Sequence, residues 1–325
     1  MMSRLLRIGD MLMLSIETKL VAAASVLLMI PGFLSAQEAV PVRSPAQGIK
    51  AALDRMMETT TMRSCPAQAG STRNTSRFGA GETIYHLVTV NDVPVGKTMM
   101  KLDSMKTADG RNAFHVTANG RTNSFFSKVR KVVAAVQSEF DSRTQLPLMF
   151  SEKLSDMDVE RETRYDIKPA GGSYDMLQVF KGKEQRMTLD GHGRSRDFLS
   201  ALYHVRTLPL RQGDELCFEI IYARSRWIAA GKVKGVERIQ TPAGFFNTIV
   251  IDGHMNMLGG KTPKVLTIWL TDDRYRIPVK ATTVLSMGEV TVLASYIKRS
   301  GKVGGEGIES EQGAWDTGAS AGGDR

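Results

Sequence analysis

The residues able to do chemistry are few and scattered. His86, His115, His192, His204 and His254 are the five histidines, and no two share the i, i+2 strand spacing or the i, i+4 helical spacing of a metal pair. His86 and His115 fall in separate early strands and could meet across a sheet. A lone strand histidine is otherwise a structural group. Asp156, Asp158, Glu160 and Glu162 recur at period two, so a strand would hold all four on one face. Such a row could take calcium or supply paired carboxylates for sugar chemistry. Lys153, Arg161 and Arg164 surround it, however, and the row reads first as a solvated face. "NDVPVGKT" ends in Gly96-Lys97-Thr98 but puts Asn91 where a phosphate loop needs its first glycine. "MMKLDS" then continues as a strand and offers no helix N-terminus to a phosphate. No Gly-x-Ser-x-Gly elbow occurs. No catalytic, cofactor or metal residue is assigned, and the chain reads as non-enzymatic.

The two cysteines, Cys65 and Cys217, carry a different kind of chemistry. In an exported chain an even pair suggests a disulfide, with two free thiols as the alternative. In "DELCFEII" alternation sets Cys217 beside Glu215 and Glu219, away from Leu216, Phe218 and Ile220. An N-terminal segment lying over that side would bring Cys65 to it. A bridge closing so long a loop would be worth up to ~5 kcal/mol by chain entropy.

The elements that must position these residues are mostly strands. Period-two segments follow one another from Glu82, separated by Asn, Asp, Gly and Pro turns near 91–94, 241–244, 272–278 and 287–288. Phe125, Phe126, Phe245, Phe246 and Trp269 read as core or cavity wall. "SFFSKV" suggests a brief helical turn. One segment breaks the strand pattern: "RDFLSALYHVRTLPL", Arg196 to Leu210. Phe198, Ala201, Leu202 and Val205 share one helical face, with Tyr203 and His204 flanking it. Ser195 or Asp197 can cap the start, and Pro209 closes the end. A single helix among strands would bury its apolar stripe against the hollow of a curved sheet. Phe198, Ala201, Leu202, Val205 and Trp269 are therefore the candidate cavity residues.

Both ends of the chain differ from this body. "KLVAAASVLLMIPGFLSA" has a basic start, an apolar run, a Pro-Gly break and Ala36, as a secretory signal does. A cut after Ala36 would place the large Leu34 at −3, so an uncleaved anchor is the alternative. Residues 44–60 read as a short amphipathic helix capped by Ser44, with Ile49, Leu53, Met56 and Met57 on one face. The expected division is a signal or anchor over 1–36 and a helix and linker over 37–80. A β-rich domain over 81–299 follows, then a disordered tail over 300–325. The net charge of +9 suits anionic lipid or cell-wall neighbours. No run of five Lys/Arg and no RNA-binding aromatic signature appears, so nucleic acid is not expected.

Several stretches together resemble one family. They are Tyr85 to Gly96, "FDSRTQLPLMF" from Phe140, "DFLSALYHVRTLPLRQGD" from Asp197, "TPAGFFNT" from Thr241, "IWLTDDRYRIPVK" from Ile268 and "MGEVTVLASY" from Met287. In order over about 82–298, they resemble the bacterial exported proteins of DUF3108. The resemblance implies a periplasmic or surface protein with a curved antiparallel sheet, similar by analogy to the open half-barrels of lipoprotein carriers. It brings no catalytic residues. The expected fold is mostly β: one curved sheet or open half-barrel, one covering helix and the short N-terminal helix. The expected function is a periplasmic binder of a hydrophobic or lipid-like ligand without cofactor. The alternative is a structural or assembly partner of an envelope protein complex, docking through a sheet edge or the 44–60 helix; an enzyme is third.

Overall fold

A computed structural model describes residues 65, 77–168, 172–190, 195–222, 225–257, 263–285, 287–299 and 302–304. The signal segment 1–36, the 44–60 helix, His192 and nearly all of the tail lie outside the described residues.

Burial alternates along several of the strands, while others are buried more evenly. In order the strands are β1 (Thr83–Val90), β2 (Val93–Lys106), β3 (Asn112–Thr122), β4 (Val132–Asp141), β5 (Pro147–Asp156), β6 (Val159–Lys168), β7 (Ser173–Phe180) and β8 (Lys183–Asp190). The helix α1 (Phe198–Thr207) follows, then β9 (Glu215–Tyr222), β10 (Ser225–Thr241), β11 (Gly244–Met257), β12 (Lys264–Thr271), β13 (Pro278–Leu285), β14 (Gly288–Arg299) and the short β15 (Lys302–Gly304). In β4 the inward set is Val132, Ala134, Val136, Ser138 and Phe140. A one-residue slip would turn this set to water, so the register is strongly held.

The strands form one antiparallel sheet in the order β8-β7-β6-β5-β4-β3-β2-β1-β14-β13-β12-β11-β10-β9, with β15 beside β14. Two meanders, β1–β8 and β9–β14, are joined where β1 pairs β14. The two edge strands, β8 and β9, do not pair with each other; the connection between them carries α1, and Arg196 in that connection bridges β9 in parallel at Ile220. The sheet is thus open. One cluster gathers Ile84, Val116, Phe150 and Tyr165 from the first meander with Ile221, Val233, Ile251 and Leu270 from the second, and with Leu199, Leu202 and Tyr203 from α1. The sheet therefore curls around the helix.

The turns explain themselves locally. Asn91 and Asp92 both take positive φ, 46° and 65°, the geometry that fits a two-residue hairpin to strand twist. The acidic row is redistributed by another turn. Asp156 ends β5, Met157 (φ 53°) and Asp158 turn the chain, and Glu160 and Glu162 lie exposed in β6. The four carboxylates do not share one strand. Asp156 is held instead by Arg130, whose Nε and Nη2 donate at 2.8 and 2.6 Å. The expected helical turn in 124–129 is a single 3-10 turn over Phe126–Lys128. Two aromatics placed in the core or a wall are at the surface instead: Phe125 is 71% exposed and Phe245 is 62% exposed.

Candidate functional site

The helix begins where a carboxylate satisfies its first amides. Asp197 Oδ1 accepts from the Leu199 and Ser200 N–H groups at 2.8 and 3.0 Å, and Ser200 Oγ accepts from the Asp197 N–H at 3.1 Å. This is a capping box with serine in the glutamate position. Asp197 Oδ2 accepts from Ser138 Oγ of β4 at 2.8 Å, which ties the cap to the sheet. Burial pushes the Asp197 carboxyl up; the donors around it work in the opposite direction.

The other side of the helix is not wet. Tyr203, His204, Arg206 and Thr207 are buried along with the apolar stripe. α1 is therefore an internal helix, and Tyr203 and His204, which flank its apolar stripe, are buried with it. Arg206 is 0% exposed, and its Nη1 and Nη2 donate to the two Glu82 oxygens at 2.7 Å each. Nε and Nη2 also donate to the Tyr275 carbonyl at 3.2 and 3.1 Å. The guanidinium lies 5.0 Å from the Phe78 ring and 4.8 Å from the Tyr203 ring. Burial is the largest single influence and lowers its pKa, but Glu82 and Tyr203 together outweigh it and the net direction is up. A charged side chain can occupy this interior because each of its three nitrogens donates to an oxygen.

Burial lowers the pKa of two histidines. His86, fully enclosed in β1, is held down at about 4 by burial. His204 is held at about 3 by burial and, next, by Arg196. His86 Nδ1 faces Thr98 Oγ1 at 3.3 Å and its Nε2 the Pro278 carbonyl, also at 3.3 Å, while His115 lies 3.4 Å from Glu139; the two histidines do not meet. Both His86 and His204 fold neutral and unfold to an ordinary pKa of about 6.5. Below that value the unfolded chain binds more protons, so stability is full above about pH 6.5 and falls as pH drops through the window down to the folded values. Denaturant titrations from pH 7 to 4.5 should show a limiting slope of about 1.4 kcal/mol per pH unit for each histidine. His86→Gln should flatten that slope; an unchanged slope would contradict the assignment.

Beside α1 the sheet leaves a cavity of about 150 Å³, partly open to solvent. Phe198, Ala201, Leu202 and Val205 form its helical wall. Leu216, Phe218 and Ile220 of β9, Ala229 to Gly231 of β10, Ile251 and Gly253 to Met255 of β11, and residues of β12 and β13 complete it. Trp269 is not in the wall. It is 9% exposed, with its indole N–H 3.4 Å from Glu237 and Lys280 4.4 Å from its ring. The space exists because the wall is small. Gly231 and Gly253 face each other across β10 and β11, and a Cβ added at either would meet a carbonyl oxygen at 2.9 or 3.0 Å. With Ala201, Ala229, Ala230 and Ala281 they leave room that larger side chains would fill.

Three polar residues join this wall: His254, Lys264 and Thr283. Thr283 Oγ1 donates to the Val265 carbonyl. His254 Nδ1 is buried with no hydrogen-bond partner, and burial lowers the pKa of the ring. His254 and Lys264 stand near the same end of β11 and β12, paired with Val265 and Met255. The arrangement offers an apolar chamber with one unsatisfied nitrogen and one ammonium at its end. Among the described residues no three His, Cys, Asp or Glu side chains gather as a metal set. Sequence reasoning missed Gly231, Gly253, His254 and Lys264; the small-residue runs "AAGKVKG" and "IDGH" were the available signal.

Cys65 and Cys217 are joined by a disulfide, 152 residues apart. Leu216, Phe218 and Ile220 face the cavity, and Cys217 between them faces away from it, as alternation requires. Among the described residues no helix is long and apolar enough to cross a membrane.

A buried helix wrapped by an open, curved, antiparallel sheet, with an apolar chamber between the two, defines a class of non-closed β-barrel proteins with a helical insert. The chain belongs to the family described as Protein of unknown function (DUF3108), whose model matches residues 85–295. Among solved structures, a β-barrel-like protein of the domain of unknown function DUF1849 from Brucella abortus is 9% identical, with a TM-score of 0.48 over 69% of this chain and 99% of that one. A protein described as exported, with a YmcC-like fold, from Bacteroides fragilis is 11% identical, with a TM-score of 0.31 over 68% of this chain and 97% of that one. A protein described as a lipoprotein from Parabacteroides distasonis is 9% identical, with a TM-score of 0.31 over 68% and 98%. No curated protein matches the chain.

Proposed function

We propose that the protein is a non-catalytic component of the cell envelope that binds a hydrophobic or lipid-like molecule in the chamber between α1 and β9–β13. The observation that carries the reading is the composition of that wall: apolar and small residues throughout, with His254 and Lys264 together at one end. Ligand sites of this kind combine an apolar body with a few convergent polar groups. An engineered dry cavity of comparable size accepts a molecule like benzene. Here the apolar end of a ligand fills the chamber, and an anionic or hydrogen-bonding group lies against His254 Nδ1 and Lys264. The disulfide and the apolar N-terminal run support an oxidising, exported location. The unpaired outer side of β8 offers an edge to another protein. That strand carries Lys183, Glu184 and Arg186, charges of the kind that discourage edge pairing, so the assembly reading has less behind it.

Native mass spectrometry of the protein isolated gently from envelope extracts tests the reading. The expected spectrum shows a bound apolar molecule that organic extraction removes. A ligand-free spectrum, together with no uptake of added fatty acids or phospholipids, would overturn it.

A further inference from the structure

The two ends of the sheet differ in kind. Strand register places the β1–β2 turn, the β3–β4 loop and the β5–β6 and β7–β8 turns at one end. Among the described residues, six of the ten exposed large apolar side chains stand at those turns: Val93, Phe125, Val129, Met157, Val159 and Phe180. At the opposite end, turns such as Thr107–Gly110, Asp141–Thr144 and Asp272–Arg276 are built of polar and charged residues, and Phe245 is the one exposed large apolar side chain beside them among the described residues.

The apolar tips are joined into one rim. The Asn123 side chain donates to the Pro94 carbonyl at 2.8 Å, and its N–H donates to Val95 O at 2.9 Å, fastening the Phe125 loop beside Val93. On its other side the Met157 N–H donates to Lys131 O at 2.8 Å. Phe126 anchors the loop by packing into the Val88, Val95, Val290 and Val292 cluster, while Phe125, 5.8 Å away, projects outward. Exposed Lys128 and Lys131 flank this stretch, and exposed Lys181 and Lys183 flank the next turn. Asp92, Asp158, Glu160, Glu184 and Glu289 are the exposed acids at or beside these turns among the described residues, and Glu184 is paired with Arg186 at 2.7 Å. Leu266 packs against the same cluster as Phe126 and also lines the chamber. The rim thus adjoins the end of the chamber that carries His254 and Lys264.

We propose that this rim is a docking surface for a lipid bilayer containing anionic lipid, with Phe125, Val129 and Met157 entering the interface and Lys128 and Lys131 meeting the headgroups. Exposed apolar patches of this kind mark interaction sites. An aromatic tip interleaved with lysines suits the boundary between headgroups and acyl chains, where both contacts are favourable at once. A protein-binding patch would not call for the lysines, and the polar end lacks the apolar tips. The docking goes beyond the chamber reading and requires no ligand; it would place the chamber mouth at the membrane.

Site-resolved tryptophan fluorescence tests this in the full chain. Phe125→Trp and Phe245→Trp report on the two ends, with the emission of the native tryptophans subtracted. Vesicles of phosphatidylethanolamine and phosphatidylglycerol carry brominated acyl chains as quenchers. Any contribution from the apolar segment before residue 37 is common to both variants. Phe125→Trp should shift to the blue and be quenched at least about twofold, while Phe245→Trp stays unchanged. Lys128→Glu with Lys131→Glu should lower vesicle partition on the order of tenfold. No quenching at position 125, equal quenching at both positions, or unchanged partition of the charge-reversed variant would overturn the proposal. So would a dimer abolished by Phe125→Ser with Val129→Ser, which would make the rim a contact between copies. Fatty-acid uptake by Phe125→Trp is measured in parallel. Its retention without vesicle docking would isolate failure of the rim from failure of the chamber.

Discussion

Arg206→Met is expected to destabilise the fold by about 3–5 kcal/mol, read as a lower urea midpoint at unchanged m-value. The cost does not come from lost packing, since methionine fills much of the same space. It comes from Glu82, which is 4% exposed and keeps one hydrogen bond, from Tyr203 Oη at 3.4 Å, once the guanidinium is gone. The Tyr275 carbonyl loses both of its Arg206 donors as well. Pairing the change with Glu82→Gln removes the stranded charge and should recover a large part of the loss. A single variant costing under about 1 kcal/mol, or a double variant as unstable as the single, would show that the pair does not hold α1 in place.

The second large effect is expected from the disulfide. Cys65→Ser with Cys217→Ser opens a loop spanning 152 residues and should cost up to about 5 kcal/mol by the chain-entropy account. The bridge fastens a segment preceding β1 to β9, which is an edge strand of the sheet and one wall of the chamber. Loss of the bridge should therefore lower ligand uptake along with the unfolding midpoint. The check is urea titration of the oxidised protein, the reduced protein and the double serine variant. Reduced and serine forms should coincide, and both should fall well below the oxidised form. Identical midpoints for all three would contradict the expectation.

Much of the architecture was legible because strand chemistry is local. Alternation placed nearly every strand, and Asn-Asp, Thr-Pro-Ala-Gly and Asp-Asp turns separated them. Alternation in "DELCFEII" also set Cys217 on the opposite side from Leu216, Phe218 and Ile220. The helix could be found for the same reason, from its cap and its apolar spacing. Its surroundings could not be found. The burial of Arg206 has no local signal, because its partner Glu82 lies 124 positions away and Phe78 farther still. His204 depends likewise on Gln145, 59 positions away. Periodicity reports which residues share a face, and it is silent on what that face meets. Phe125 and Phe245 failed for the converse reason: aromatic composition suggested burial, but both sit at or beside turns and stay exposed, Phe245 under the Arg238 guanidinium at 5.2 Å. The chamber was half legible. Its helical wall followed from spacing, whereas the facing wall depends on absent side chains at Gly231 and Gly253, which apolar patterning does not score.

The central claim is that the chamber between α1 and β9–β13 receives an apolar ligand. Titration of a fluorescent fatty acid into wild type and Ala229→Phe tests it most directly. Ala229 lines the chamber and is only partly buried, so phenylalanine there fills space without entering the main core. The account predicts saturable one-to-one uptake by wild type and at least about tenfold weaker uptake by the variant, whose unfolding midpoint is unchanged or higher, as cavity filling commonly stabilises. Equal uptake by both proteins, or no uptake by wild type, would contradict it.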